Sequence, residues 1–370
     1  MTTAKTDRTH GGEDRANNFD LIRLLAAAQV ALWHGIRLLE IQPFTDVPET
    51  WNVLPGVPVF FVVSGFLVTL SWERSRSPVQ YFVNRFLRIY PALWVCLAVS
   101  LVLIFAFRIP WTPASLATWV AAQLSVAQFW NPEFLRGFGV CVMNGSLWTI
   151  PVELQFYVVM PLLYLLARLV GGSRMGIGRL ALAVVALGVF TAWSHEHMVR
   201  DDARPWTKMY DATLVPWLYY FMVGLLYRRL FETRPSIFRG RLPAWLVAFA
   251  AWTALAKWGL GWEVVGNMLN PVSLLLVGGV TISAAFTMPS LSTRLLRGND
   301  ISYGMYIYHM LVLNVFVQVG FKGSMLSLAC MLALTLALGV TSWRLIERPA
   351  LEFKRNPAWG RIAARLGMRA

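Results

Sequence analysis

Few ionisable residues fall inside the long apolar runs of this chain, and a charged group there costs about 2.5–3.5 kcal/mol, so each is a candidate for chemistry. His34 stands in FDLIRLLAAAQVALWHG, fifteen residues from the start of its run. As a helix that run lifts the ring ~22 Å, which leaves it ~8 Å short of the far side of a ~30 Å hydrocarbon layer. Glu153, in SLWTIPVELQFY, lies six residues into a run of opposite direction, ~9 Å deep and about level with His34. An imidazole with a carboxylate at one depth suits general-base work on a hydroxyl, the carboxylate orienting the ring and stabilising the imidazolium. The plainer reading is a hydrogen-bonded histidine between helices.

Arg85 and Arg88, in YFVNRFLRIYP, stand at i and i+3 on one helical face near the opposite end of the layer, a spacing that suits paired phosphates. Basic residues also flank such helix ends as snorkelling anchors, which is the alternative for this pair. His309, in ISYGMYIYHM, sits ~12 Å above the near end of its run, below His34 rather than beside it, and suits a structural or donor-channel role. Asp20 and Arg23, three apart, are expected to form an ion pair that fixes a helix end. Glu347, in WRLIERP, is expected to be neutralised by Arg344 and Arg348, with Pro349 stopping the helix.

Metal and redox chemistry find no such support. His195 and His197, at i and i+2, do not share a helix face and have no third ligand nearby. The three cysteines, Cys96, Cys141 and Cys330, make neither a disulfide framework nor a metal spacing.

The elements that position these residues are membrane helices. Of the 370 residues 57% are hydrophobic and 14% charged, against about 45–50% and 25% in soluble domains. Ten apolar runs, at 19–40, 55–72, 86–107, 147–169, 180–193, 212–230, 243–260, 264–286, 301–320 and 325–346, predict an all-α polytopic bundle. The formal charge of +14 is spread over short clusters between these runs, which encodes orientation rather than affinity for nucleic acid. With the N-terminus inside, cytoplasmic loops hold Arg74 and Arg76, then Arg168, Arg174 and Arg179, then Arg228, Arg229, Arg234, Arg239 and Arg241, then Arg294 and Arg297. The first outer loop carries Glu40, Asp46 and Glu49 without a Lys or Arg between them, and both termini fall on the cytoplasmic side.

The stretch 113–130, interrupted by Gln123 and Gln128, would invert every later loop if it crossed, and so reads as an interfacial or re-entrant helix outside. Pro55, Pro58 and Pro151 inside or beside spans point to cavities. Residues 1–17 are polar, without a secretory signal, and read as a cytoplasmic tail; 18–350 form one membrane domain and 351–370 a basic cytoplasmic tail.

In order along the chain stand FDLIRLLAA with His34, VPVFFVVSGFL, the RxxR pair Arg85 and Arg88, SLWTIPVELQFYVVMPLL, ISYGMYIYH and WRLIERP. From about Phe19 to Pro349 the sequence resembles acyltransferase family 3, integral-membrane enzymes that O-acetylate surface and secreted glycans. The resemblance implies an inward-facing acyl-CoA site using Arg85 and Arg88, an essential histidine at His34, and acetyl-CoA or another acyl-CoA as donor substrate. It further implies a glycan or lipid-linked sugar acceptor, a bacterial inner-membrane location, and no metal. Members often carry an acid shortly after the histidine; here HGIRLLE has no carboxylate before Glu40. Glu153 is therefore the expected ring partner, with Glu40 the alternative. A transporter or flippase of an anionic or lipid-linked glycan is the rival from another class, and a purely structural membrane partner the third.

Overall fold

In a computed structural model of the chain, residues 17–46, 54–169, 172, 176–194, 196–197, 205–262 and 266–353 are described. Both tails beyond these, together with Glu49, Arg174 and His195, lie outside the described residues. Every regular element among them is helical. The first half holds α1 (Phe19–Leu38), α2 (Gly56–Arg74), α3 (Pro78–Ala106), α4 (Pro113–Leu124), α5 (Thr149–Leu169) and α6 (Ile177–Ser194). The second half holds α7 (Pro205–Asp211), α8 (Leu218–Thr233), α9 (Leu242–Ala254), α10 (Pro271–Phe286), α11 (Leu291–Leu296), α12 (Ser302–Gln318), α13 (Met325–Ser342) and α14 (Arg348–Glu352). Local chemistry sets several starts: the side chains of Ser77, Thr112, Asn270 and Ser324 each accept from the backbone N–H three residues on, satisfying an orphan donor of α3, α4, α10 and α13.

Among the described residues six helical segments are long and apolar enough to cross a membrane: α1, α2, α3, α5 with its leading 3₁₀ turn, α6, and the continuous Met325–Glu352. The helices in the other four apolar runs, α8, α9, α10 and α12, have 13–17 residues, short of the ~20 needed to cross unaided. Pro216, in a 3₁₀ turn at Val215–Trp217, delays α8, and a π turn at Leu255–Gly259 extends α9 only as far as Gly259, ahead of Gly261, whose φ is +65°. At 12 residues α4 rises ~18 Å, less than the layer. The end of the chain corrects one expectation: Pro349 does not stop the helix. A π turn at Trp343–Glu347 carries α13 into α14, with Pro349 in the first turn of the new segment, where a missing N–H costs little.

The packing core forms where α2 meets α8 backbone to backbone. A Cβ on Gly65 would sit 2.1 Å from Phe221 O, and one on Gly224 2.1 Å from Val62 O, so only glycine permits the approach. Around the contact Phe221 stacks on Phe156, ring centroids 4.1 Å apart, and packs at a tilt against Phe61, centroids 4.8 Å apart. A second close approach joins α12 to α13, where a Cβ on Gly339 would lie 2.9 Å from Met305 N.

Polar contacts sort the helix ends. On one face Asn18, 3% exposed, donates to the carbonyls of Ala284, Thr287 and Met288, tying the start of α1 to the end of α10. There too Glu73, at the end of α2, meets Arg229 of α8 at 2.5 Å and Tyr164 of α5 at 2.7 Å. On the opposite face Lys322 reaches Glu40 at 2.6 Å and Gly323 N donates to Leu39 O.

Gly224→Val is expected to lower the stability of the protein in detergent by about 1–3 kcal/mol or more, the usual cost of overpacking, read as a fall in thermal unfolding temperature. Gly137→Ala, at a position open to space, should stay within about 0.5 kcal/mol of the parent.

Candidate active site

His34 and His309 form a pair. His34 Nδ1 lies 2.9 Å from His309 Nε2, with the ring planes within 10° of each other. His309 therefore stands beside His34, not below it. The expected offset came from treating α1 and α12 as starting level. Arg23 of α1 instead shares an ion pair with Asp300, just ahead of α12. From that contact His34 is eleven residues up and His309 nine, ~16 Å and ~14 Å of rise, a difference that side chains bridge. His309 has no exposed surface, whereas His34 is half-buried.

Glu153 does not hold the His34 ring. Its Oε1 accepts from Ser64 Oγ at 2.8 Å and from Tyr157 Oη at 2.6 Å, the latter one turn along α5. Rotation about the helix axis turns the carboxylate toward α2, and it lines the cavity below the histidine pair rather than standing level with His34. Glu40, the alternative partner, is taken by Lys322 at the far face.

Beneath the histidine pair lies a cavity of about 450 Å³ bounded by α2, α3, α5 and α12, within the ~300–1,000 Å³ range of small-molecule sites. Two of its walls, α2 and α5, are the helices whose starts carry the prolines singled out from the sequence. At one end Arg23, Arg74, Arg85 and Arg88 line it, opposed by only two carboxylates, Asp300 and Glu153. At the other it ends on Phe60 and Tyr306, whose rings pack 5.4 Å apart. The Tyr306 ring in turn lies 5.8 Å from that of His309, so one aromatic layer separates cavity and histidine pair. Tyr81 Oη donates to Tyr157 O and Tyr303 Oη to Ile89 O, each at 3.1 Å, holding α3 to α5 and α12 around the space.

Both arginines of the RxxR pair line this cavity, in different surroundings. Arg85 donates from Nη2 to Ser71 Oγ at 3.0 Å and lies over the Tyr157 ring, 5.5 Å from its centroid. Arg88 is bound to the Asp300 carboxylate, which Arg23 also engages. Arg23 completes the expected pair with Asp20 at 3.2 Å. Asp300 is the residue that reading the sequence missed. It stands in the polar junction GND ahead of α12, outside any apolar run, and so escapes a search for costly charges within spans.

Glu347 is 2% exposed and accepts from Ser342 Oγ at 2.9 Å. It is not neutralised by its neighbours: Arg348 turns to Glu352 at 2.8 Å, and Arg344 is exposed. The π turn is the cause, since it swings Glu347 inward against Gly304, where a Cβ would come within 3.1 Å of its Oε1. His197 contacts Trp193 O at 2.8 Å on an exposed surface. Among the described residues no group of three or more His, Cys, Asp or Glu is placed to hold a metal.

A histidine pair over an arginine-lined cavity, carried by a bundle of long apolar helices, is the arrangement of a multi-pass membrane protein with an internal pocket. The Acyltransferase domain family model matches residues 17–344, nearly the whole chain, and the protein belongs to that family, acyltransferase family 3. Nodulation protein 10 of Rhizobium leguminosarum bv. viciae is 34% identical over 92% of this chain and 94% of its own length. The O-acetyl transferase of Shigella phage Sf6 is 26% identical over 90% and 96%, and the exopolysaccharide production protein ExoZ of Rhizobium meliloti (strain 1021) 27% identical over 85% and 94%. No solved structure gives a significant match.

Removing the shared carboxylate would take from Arg88, largely buried, the carboxylate it is bound to and leave Arg23 with Asp20 alone. Asp300→Ala should therefore cost about 3–5 kcal/mol, read as a lowered unfolding temperature in detergent. Asp300→Glu should recover part of that loss; an unchanged melting curve for the alanine variant would show that the ion pair carries no weight.

Proposed function

We propose that the protein is an O-acyltransferase that moves an acyl group, acetyl in the first instance, from acyl-CoA on the cytoplasmic side to a hydroxyl of an envelope or secreted glycan. His34 is the general base. The observation that carries the reading is the cavity that runs from the arginine end to the Phe60–Tyr306 layer beneath the histidine pair, a layer that must part for the thioester to reach His34. Family membership and the activities that two relatives are named for, O-acetyl transfer and exopolysaccharide production, support the same reaction and acceptor class.

Arg85 and Arg88 receive the donor's phosphates, with Arg74 beside them at the same end. The pantetheine arm follows the cavity past Glu153 and Tyr157 toward Tyr306. Glu153 is a wall residue that orders Ser64 and Tyr157 rather than the partner of the base. The acceptor oxygen attacks the thioester carbonyl while His34 takes its proton; as the C–S bond breaks, the leaving thiolate recovers a proton from the imidazolium. The ester and the free thiol of coenzyme A are the products.

Ten crossings with both termini cytoplasmic place the arginine end inside and the histidine pair toward the outer leaflet of a bacterial inner membrane. The apolar runs and the Arg-rich loops between them support this orientation.

Purified protein in detergent, given radiolabelled acetyl-CoA and a glycan acceptor, should form a base-labile glycan ester. His34→Ala should lower turnover about 10²–10⁴-fold, the usual share of general-base catalysis, with the protein still present in the membrane. Arg85→Ala should raise the donor KM more than it lowers kcat. Full turnover in the His34 variant would sink the assignment of the base.

A further inference from the structure

We infer that His309 is a positioning residue that fixes the tautomer of His34, leaving the lone pair of His34 on Nε2. This rests on the reading of His34 as the base. His309 does here what a carboxylate was expected to do.

A carbonyl oxygen only accepts, so the 2.6 Å contact between His309 Nδ1 and Tyr306 O requires hydrogen on Nδ1. In the neutral ring the lone pair then sits on Nε2. The 2.9 Å contact of that atom with His34 Nδ1 requires hydrogen on Nδ1 of His34. The lone pair of His34 is left on Nε2, which no hydrogen bond engages among the described residues. Nδ1–H is the less favoured tautomer of a free imidazole, so an acceptor on that side is needed to hold it.

Each link is itself held. Tyr306 O belongs to the preceding turn of α12, so the backbone of that helix sets the direction of the His309 ring. The Tyr306 hydroxyl lies 2.9 Å from Thr149 Oγ1 and donates to Ser146 O at 3.0 Å, which joins α12 to the start of α5. Neither carboxylate considered for the role competes, since Glu153 and Glu40 are bound elsewhere. When His34 takes the acceptor's proton, its bond to His309 Nε2 becomes charge-assisted and stronger, so the pair favours the state formed during transfer.

The full-length protein has five histidines, few enough for ¹⁵N-histidine labelling and long-range ¹H–¹⁵N correlation in detergent, with His34→Ala and His309→Leu used for assignment. The expected spectrum shows His34 as the Nδ1–H tautomer, shifting toward Nε2–H in His309→Leu. In turnover assays His309→Leu should lose about 10–100-fold in kcat, the range for residues that orient a working imidazole, with the donor KM unchanged. His309→Gln, whose amide oxygen can accept at the same place, should recover much of that loss. Nε2–H at His34 in the parent protein overturns the inference, as does an equal fall, or no fall, in the Leu and Gln variants. Retained turnover in His34→Ala would instead overturn the base assignment and leave the tautomer reading to the spectrum, so the two failures are distinguishable.

Discussion

One shared carboxylate sets the register on which the site depends. Asp300 binds Arg23 of α1 and Arg88 of α3 from the junction that opens α12, so three helices are indexed to one another at a single buried point. From that point the helical rise carries His34 and His309 to the same height, and the tyrosine contacts hold α3 to α5 and α12 around the cavity. An ion pair removed from water is rarely a large net source of stability, but one removed without replacement is heavily penalised. The cluster therefore acts less as glue than as a gauge: it makes other alignments of these helices expensive.

The arginine doublet shows how one motif divides its work. Arg88 is committed to Asp300 and helps hold the bundle, whereas Arg85 has a hydroxyl and an aromatic face as neighbours. One helical turn thus carries an arginine held in an ion pair and an arginine set against a hydroxyl and a ring, and along the cavity arginines outnumber carboxylates, which makes its potential positive.

Most of what can be expressed along a line was legible in the sequence. Apolar runs marked the helices, the cost of burying ionisable groups singled out His34, Glu153 and His309, and the i, i+3 spacing singled out Arg85 and Arg88. Rotation about each helix axis was not legible. Glu153 and His34 agree in estimated depth but the carboxylate faces α2, and a π turn, one residue wider than an α turn, brings Glu347 inward while Arg344 remains exposed. Relative height between helices failed for a related reason: spans were levelled by their first apolar residue, whereas the protein levels α1 and α12 by a salt link in a polar junction.

The glycine seam between α2 and α8 has a mechanical corollary. With Gly65 and Gly224 pressed against the opposing main chain, no layer of side chains remains that could shear, so these two helices behave as one strut. Relative motion among the helices must therefore take place elsewhere than along this seam.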